Sequence, residues 1–276
     1  MKRKSWYQVI LSLLVVSLVF LVAGCSSSSS KTNGVKKIQN RGTLIVGTSA
    51  DFAPFEFPIV QNGQKKIVGY DILLAKKIAK NLGVKLKIEN VEFSSLISEL
   101  KDQKIDMILS GLSVTKQRKK SISFSEPYYT TKNVLLVRKA DKNKYSSISQ
   151  LAKKSIGVQQ GSTQQTVANK KLKKSNLVVE SVVTSLATEL KDNKLDGVLV
   201  ESGVAEGYVS KYPDQYAIAS VKMPIEKESQ SYSAGIAKNN QVLVKRVNKV
   251  ISKLKQNGTN KKMLNQAKQL QQKYSK

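Results

Sequence analysis

The chain has 276 residues, and its 47 lysines and arginines outnumber 19 aspartates and glutamates, which gives a net charge of +28 at neutral pH. It has no histidine and one cysteine, which excludes disulfide-dependent folds, histidine catalysis and most zinc and copper sites. Aromatic residues make up only 6%, too few to stack nucleobases, so the basic surface predicts contact with an anionic membrane or wall polymer and not with nucleic acid.

The N-terminal segment has the order of a secretory signal. Basic residues at positions 2–4 precede an apolar run over residues 9–23, and Cys25 follows; this order predicts a signal peptide over residues 1–24. The residues before Cys25 resemble the bacterial lipobox, whose cysteine receives diacylglycerol after cleavage in front of it. Ordinary cleavage and a permanent membrane helix are the alternatives, but the run is short for a span of about 20 residues. We expect a lipidated Cys25 and a flexible tether over residues 25–36, on the extracellular face of the cell membrane.

From Thr43 onward, short apolar runs alternate with stretches of helical periodicity. The apolar runs predict strands over residues 44–46, 85–88, 105–109, 155–158, 177–179 and 195–200. The periodic stretches predict helices over residues 71–82, 93–100, 163–172, 186–190, 243–254 and 260–276. Asp71 fits the N-cap of the first of these helices. The alternation predicts an α/β fold with two similar units, and the extended stretch 132–139 passes between them.

Two strand–turn–helix segments carry residues suited to binding an anion. In residues 106–118 a strand ends in a turn of small residues, Thr115 fits a helix N-cap, and Arg118 falls in the first turn. Free amides and the positive helix end attract anions there, and the guanidinium adds a planar fork for a carboxylate. The alternative is a solvated surface arginine beside two lysines. Residues 157–164 repeat the glycine turn into a helix, so the two sites could hold one small anion between the units.

A wider resemblance is carried by segments 47–57, 68–71 and 124–129 together with these two turns. As a set they resemble the polar amino-acid-binding proteins of ABC importers, which are extracellular solute-binding proteins of family 3 with the type II periplasmic-binding fold. The resemblance runs from near Lys36 to the C-terminus in the same order and spacing.

The resemblance implies an architecture and a set of partners. It implies two doubly wound α/β lobes joined by a two-stranded hinge, with the first lobe in residues 37–131 plus 226–276 and the second in residues 132–225. The implied protein is a monomer without a cofactor, a metal or catalytic residues. Its implied partners are a free amino acid and a membrane-embedded ABC permease, and hinge closure would bury the amino acid between the lobes.

Carried over by position, the resemblance also implies a role for each site residue. Arg118 would pair with the α-carboxylate of the amino acid, together with the backbone amides of Ser113 and Thr163. Glu201 would bind the α-ammonium, and Ser110 or Gly111 together with Ser113 would contribute to binding it. Contacts to the ligand side chain are implied for Ser49, Phe52, Glu56, Phe93 and Gln159. Asp71 and Asp106 match family positions but read as structural, the first as a helix cap and the second as a strand-end contact.

One position leaves the substrate open. Relatives that take cationic amino acids commonly carry an acid where this chain has Ser49. With polar Gln159 in the opposite wall, an uncharged polar side chain such as that of glutamine fits the pattern. Glu56 or Asp51 could instead pair with a cationic side chain such as that of arginine or lysine.

Two other classes of function stay open on the sequence alone. A cleft enzyme on the same fold, of the dehydratase or cell-wall lytic type, would use Glu201, although no second catalytic group is evident. An adhesin would use the basic surface to bind wall polymers. The expected class is the receptor, which is not an enzyme.

Overall fold

The computed structural model describes residues 34–274. The predicted signal peptide over residues 1–24 and the predicted lipidation site Cys25 lie outside the described residues. Of the helices within residues 34–274, none combines the length and the apolar character that a membrane span needs.

Strands and helices alternate along most of the described chain. The strands are β1 (Thr43–Thr48), β2 (Phe57–Gln61), β3 (Gln64–Val68), β4 (Lys85–Asn90), β5 (Met107–Ile108), β6 (Ile122–Phe124), β7 (Tyr129–Thr130), β8 (Asn133–Arg138), β9 (Ser155–Gln159), β10 (Asn176–Glu180), β11 (Gly197–Glu201), β12 (Tyr216–Ile218), β13 (Ser231–Tyr232) and β14 (Gly235–Ala237). The helices are α1 (Gly34–Arg41), α2 (Tyr70–Leu82), α3 (Leu96–Lys101), α4 (Lys116–Ser121), α5 (Thr163–Lys171), α6 (Val183–Lys191), α7 (Ser202–Lys211), α8 (Gln241–Gln256) and α9 (Thr259–Tyr274).

The first sheet has the strand order β4-β1-β5-β14-β6. β1 runs parallel to β4 and β5, whereas β14 runs antiparallel to β5 and β6. Successive side chains of β1 point to opposite faces: Leu44 and Val46 join the core under α1, α2, α8 and α9, and Ile45 packs on the core under α3. Helices therefore cover both faces of this sheet.

The second sheet has the strand order β10-β9-β11-β8-β12. β9 runs parallel to β10 and β11, and β8 runs antiparallel to β11 and β12. Val134 and Leu136 of β8 face α6 and α7, whereas Leu135 and Val137 face α5. The second sheet thus repeats the layered arrangement of the first.

Two crossings of the chain join the sheets, and both pass through the antiparallel pair of β7 and β13. Tyr129 of β7 stacks on Tyr232 of β13 with ring centroids 5.3 Å apart. Phe55 packs edge-on against Tyr129 at 4.8 Å. The predicted fold class, two doubly wound α/β lobes with a two-stranded hinge, is confirmed, while the residue boundaries of the lobes stay a prediction. We define the first lobe as the first sheet with its covering helices, and the second lobe as the second sheet with its own.

The prediction that Asp71 caps its helix was wrong. The helix begins one residue earlier, at Tyr70, and its N-cap residue Gly69 has no side chain to offer. Gly69 has φ +132°, and a Cβ there would lie 2.1 Å from the carbonyl oxygen of Phe55, so only glycine fits this turn. Asp71 instead points into the core, where it accepts hydrogen bonds from the amide of Gly111 and the hydroxyl of Tyr128.

Two other local differences have simple causes. Residues 34–36, assigned to the tether, begin helix α1, whose buried residues Val35 and Ile38 are too few to give a periodic signal. The strand expected over residues 105–109 pairs only at Met107–Ile108. Asp106, just before it, accepts a hydrogen bond from the amide of Ile45 at 2.8 Å, as expected of a strand-end contact.

Candidate functional site

A narrow cavity lined mainly by polar residues lies between the two sheets. It brings together every residue for which a ligand contact was predicted. The first-lobe residues that line it are Ser49, Asp51, Phe52, Glu56, Phe93, Ser110, Gly111, Ser113 and Arg118, and the second-lobe residues are Gln159, Ser162, Thr163, Gln164 and Glu201. The roles assigned to these residues stay predictions.

Arg118 is held rigidly at one side of the cavity. The hydroxyl of Thr115 accepts a hydrogen bond from the Arg118 amide, so Thr115 caps α4 and Arg118 occupies its first turn, as predicted. Nη1 donates to the carbonyl of Ser113 at 2.7 Å and Nη2 to the carbonyl of Gly161 at 3.0 Å. The guanidinium also lies 5.3 Å from the centre of the Phe93 ring. Burial lowers the pKa of Arg118 to about 10, so it remains a cation at neutral pH.

The N-terminus of α5 faces Arg118 from the second lobe. Ser162 caps this helix by accepting a hydrogen bond from the amide of Gln165, and the Gln165 side chain accepts one from Gly161 in return. The helix begins at Thr163, whose amide is among those without an intrahelical partner. An anion beside Arg118 would therefore meet both a guanidinium and the positive end of a helix.

Glu201 is the buried acid on the second-lobe side of the cavity. It is the last residue of β11 and sits at the N-cap position of α7, so the strand end fixes its backbone. Burial raises the pKa of Glu201 to about 7, while a hydrogen bond from Gln164 and the charge of Arg118 act in the opposite direction. Gln164 is itself oriented by its donation to Asn133 at 2.7 Å. A cationic group entering the cavity would restore the ionised form of Glu201.

Asp51 links the lobes across the cavity. Its Oδ2 accepts hydrogen bonds from the Val183 amide at 2.6 Å and from Gln159 Nε2 at 3.2 Å, both in the second lobe. Its Oδ1 accepts from the hydroxyl of Ser49 at 3.0 Å. Val183 is the first residue of α6, so Asp51 satisfies a free amide at the end of a helix in the other lobe. Both oxygens of the Asp51 carboxylate therefore already have protein partners.

Glu56 and Asp71 form a buried carboxyl pair behind the cavity wall. Glu56 Oε1 accepts from the Ser110 hydroxyl at 2.9 Å, and Asp71 holds the amide of Gly111 at 2.9 Å. Among the described residues, Glu56 Oε2 and Asp71 Oδ1 have no donor partner. Burial and the charge of Asp71 raise the pKa of Glu56, and burial raises that of Asp71 to about 7. At neutral pH the two acids therefore hold a proton between them.

Phe52 and Phe93 form the aromatic walls. Phe52 lies 6.0 Å from Phe55 and 6.3 Å from Tyr232 between ring centroids, so this wall connects directly to the hinge aromatics. Gly111 has φ +53°, and a Cβ at this position would lie 2.6 Å from the Phe52 ring. Phe93 lies on the far side, against Arg118. The two rings come from separate loops, which periodicity does not bring together.

Sequence reasoning missed some of the cavity. Ser162 and Gln164 line it but were given no role, although Ser before Thr163 fits the rule for N-cap residues. The cross-lobe bonds of Asp51 have no sequence signal. Ser113 was predicted to contact the ligand through its amide. The structure shows that its carbonyl also accepts a hydrogen bond from Arg118.

The chemistry of the cavity suits binding a zwitterion. It presents a cation and a helix end on one side and an acid on another, and burying both poles of a zwitterion is favourable only when each meets an opposite charge. Within residues 34–274, no group of three acidic or cysteine side chains could hold a metal ion.

Two α/β lobes with a charged cavity between them define the class of two-lobed solute receptors. Residues 44–269 match the family of bacterial extracellular solute-binding proteins, family 3. This match covers most of the chain, so the chain belongs to that family.

Individual relatives are similar to this chain over most of its length. The arginine-binding extracellular protein ArtP of Bacillus subtilis is 33% identical over 262 residues, which cover 94% of this chain and 96% of the relative. The structure of the amino acid ABC transporter substrate-binding protein AbpA from Streptococcus pneumoniae bound to L-arginine is similar with a TM-score of 0.82 at 40% identity, covering 86% of this chain and 98% of that one. An ancestral arginine-binding protein bound to glutamine is similar with a TM-score of 0.72 at 34% identity, covering 81% and 96% respectively.

Proposed function

We propose that this chain is a lipid-anchored receptor that captures L-arginine outside the cytoplasm and delivers it to an ABC importer. The observation that carries the proposal is Glu56, which lines the cavity, is paired with the buried acid Asp71 behind it and has no basic partner among the described residues. None of the ion pairs among the described residues includes Glu56, Asp71 or Glu201. An amino acid with a cationic side chain could displace the proton that the pair holds and replace it as the positive charge beside Glu56.

The two ends of the amino acid have separate partners in this proposal. The α-carboxylate binds between Arg118 and the N-terminus of α5, and the α-ammonium binds Glu201. Because Arg118 belongs to the first lobe and Glu201 to the second, both contacts form only when the lobes close. Ligand binding therefore shifts the population toward the closed arrangement.

The kind of ligand side chain is inferred from the hydrogen-bond partners that Asp51 and Glu56 already have. Both Asp51 oxygens accept hydrogen bonds from Ser49, Gln159 and Val183, so Asp51 has little to offer a ligand. Glu56 has one oxygen free of donors and a second acid behind it. A guanidinium offers several N–H donors in a plane and stays charged under all physiological conditions, which suits this pair better than the neutral amide of glutamine.

Three further features of the proposal concern location and chemistry. Cys25 carries the lipid, so the receptor stays on the outer face of the membrane beside its permease. The ligand leaves unchanged, because the cavity lacks histidine and cysteine and the roles of Arg118 and Glu201 are to hold opposite charges. The protein acts as a monomer.

The test is isothermal titration calorimetry of the purified protein with arginine, lysine, histidine and glutamine. Arginine is expected to bind with a dissociation constant near micromolar, about 8 kcal/mol. Arg118→Ala should abolish binding, since removing one partner of a buried charge pair costs about 3–5 kcal/mol. Chromatography of the recovered ligand should return arginine alone, whereas a converted product would indicate an enzyme.

Glu56→Gln is the variant that separates arginine from glutamine as the ligand. Because Gln keeps the shape and the bond to Ser110 but cannot lose a proton and become charged when a cation binds, arginine affinity should fall by at least about 100-fold while glutamine binding changes little. Glu99→Gln, a change at a half-buried acid that pairs with Lys104 outside the cavity, is the matched control. Equal arginine affinity in both variants would contradict the assignment of Glu56.

A further inference from the structure

A layer of four helices covers one face of the first sheet. α1, α2, α8 and α9 contribute their apolar sides to one core, and α8 contacts α1, α2 and α9 directly. Residues such as Ile38, Ile78, Val247 and Met263 fill that core. The opposite sides of these helices face solvent, and together they form what we term the basic helical face.

The charge of the basic helical face is almost entirely of one sign. Its helices carry fifteen lysines and arginines: three in α1, three in α2, five in α8 and four in α9. Their one acid is Asp71, which is completely buried. All of the basic residues are exposed except Lys268, which is half-buried. From residue 229 to the end of the chain, no aspartate or glutamate occurs at all.

Folding does not explain this concentration of charge. Of the fifteen cations, only Arg41 and Lys268 have an acidic partner among the described residues, namely Asp106 and Glu206. Lys245, Lys249 and Lys253 follow one another at i,i+4 spacing along α8, where like charges destabilise a helix. The second lobe shows that the fold does not require it, since α5, α6 and α7 together carry four lysines and two glutamates.

We propose that the basic helical face docks the first lobe onto the anionic headgroups of the membrane. A broad one-signed area spread over four helices suits a planar array of negative charge. The chain enters this layer directly from the tether, because α1 begins nine residues after Cys25. Even fully extended, nine residues span only about 30 Å. With the proposed lipid on Cys25, the basic helical face therefore remains close enough to contact the bilayer.

Docking would have a physical consequence for uptake. A tethered receptor that also lies on the bilayer shares a thin layer with its permease, which raises its effective concentration there. The attraction should extend over about a Debye length, 8–10 Å at physiological salt, so the contact is reversible.

The test is co-sedimentation of the chain from residue 26 onward with lipid vesicles. This form lacks Cys25 but keeps every element of the described structure. We expect binding to vesicles of equal parts phosphatidylglycerol and phosphatidylcholine, weakening strongly when salt is raised several-fold, and no binding to phosphatidylcholine alone. Substituting Lys245, Lys249, Lys253 and Lys255 together by glutamate should weaken binding on the order of 1,000-fold.

A matched variant controls for net charge. The second lobe has four exposed lysines that form no ion pair among the described residues, namely Lys142, Lys171, Lys173 and Lys191. Their fourfold change to glutamate alters the net charge equally. This control should lose no more than a few-fold of vesicle binding. Thermal unfolding of both variants establishes that each is folded, so the comparison does not depend on the arginine proposal.

Three outcomes would overturn the inference. The first is no binding of the parent chain to anionic vesicles near physiological salt. The second is an equal loss in the two fourfold variants, which would mean that net charge alone attracts the protein. The third is displacement of the vesicles by a soluble glycerol-phosphate polymer at equal phosphate concentration, which would make a wall polymer the partner.

Discussion

Glu201 shows how a strand end can prepare a carboxylate for a cation. Its backbone closes β11 and opens α7, so its side chain is directed into the cavity without loop flexibility. Burial makes the ionised form costly and raises its pKa to about 7. A carboxylate in this condition gains more from an ammonium partner than one that water already stabilises.

This burial predicts a pH dependence of arginine binding. The ligand ammonium favours ionised Glu201, so its pKa falls on binding and a proton is released when binding occurs below pH 7. Affinity should therefore rise between pH 5 and pH 7, by at most tenfold per pH unit for each such group. Calorimetry in buffers of different ionisation enthalpy measures the released protons.

The variant Glu201→Gln isolates this residue in the pH experiment. Asp51, Glu56 and Asp71 also have raised pKa values, so part of the proton release should remain. If Glu201→Gln released as many protons as the parent protein at pH 6, the titration would belong to the other acids alone.

A second prediction at the residue scale concerns Gly111. Gly111→Ala places a methyl group 2.6 Å from Phe52, so the aromatic wall must shift and arginine affinity should fall about tenfold or more. The left-handed backbone adds about 1–2 kcal/mol of instability. Gly83→Ala is the matched control, because Gly83 has φ +72° with open space around it. Calorimetry should find affinity lost only at Gly111; an equal loss at both would mean that the cause is general destabilisation.

At the scale of elements, helix α6 finds a partner for its first amide in the opposite lobe. Asp51 accepts the Val183 amide and the Gln159 side chain across the cavity. Charge-assisted hydrogen bonds of this kind contribute about 1.5–3 kcal/mol. The elements on either side of the cavity are thus connected by protein contacts besides the ligand.

This connection predicts that Asp51→Ala weakens arginine binding without touching the ligand. The two cross-lobe bonds together contribute about 3–6 kcal/mol, so losing them should shift the closing equilibrium by about 100- to 10,000-fold and lower affinity equally. Small-angle X-ray scattering of the ligand-free protein should give a larger radius of gyration for the variant.

Ser49→Ala is the matched control for this experiment. It removes a hydrogen bond to Asp51 from within the first lobe but leaves the cross-lobe bonds. A radius of gyration as large as that of Asp51→Ala would show that the lobes respond to Asp51 geometry and not to its cross-lobe partners.

How far the sequence predicts these elements depends on their periodicity. The long helix α8 has buried residues at Leu243, Val247 and Leu254 and was predicted nearly to its ends. The short helix α1 was not predicted, because its two buried residues give no clear periodicity. The hairpin of β2 and β3 was not predicted either, because five residues in an edge strand give no clear alternation. The start of α2 was missed because backbone space at Gly69, and not a capping side chain, fixes it.

For the site, the sequence predicts which residues line the cavity but not which hydrogen-bond partner each of them has. Thr115 and Arg118 follow from capping rules, and the structure places them as expected. The saturation of Asp51 and the pairing of Glu56 with Asp71 arise between segments far apart in the chain. Such contacts are tertiary, and no local pattern encodes them.

For the whole molecule, ligand binding should appear as thermal stability. At a ligand concentration about 1,000 times the dissociation constant, binding adds about 4 kcal/mol to the folded state. For a domain of this size that corresponds to a rise in melting temperature of roughly 10 °C. Scanning fluorimetry with arginine measures it, and Arg118→Ala should give no rise. A similar rise in that variant would mean that arginine binds elsewhere.

The carboxyl pair of Glu56 and Asp71 affects how much ATP the importer consumes without transporting cargo. A transporter that recognises only the outer contour of its receptor would hydrolyse ATP for receptors that shut without cargo. On the proposed function, shutting without arginine strips water from Glu56 and offers the carboxyl pair no counterion, so the shut form is short-lived. Cargo removes that penalty, and the acids thereby act as a checkpoint between a filled and an unfilled receptor.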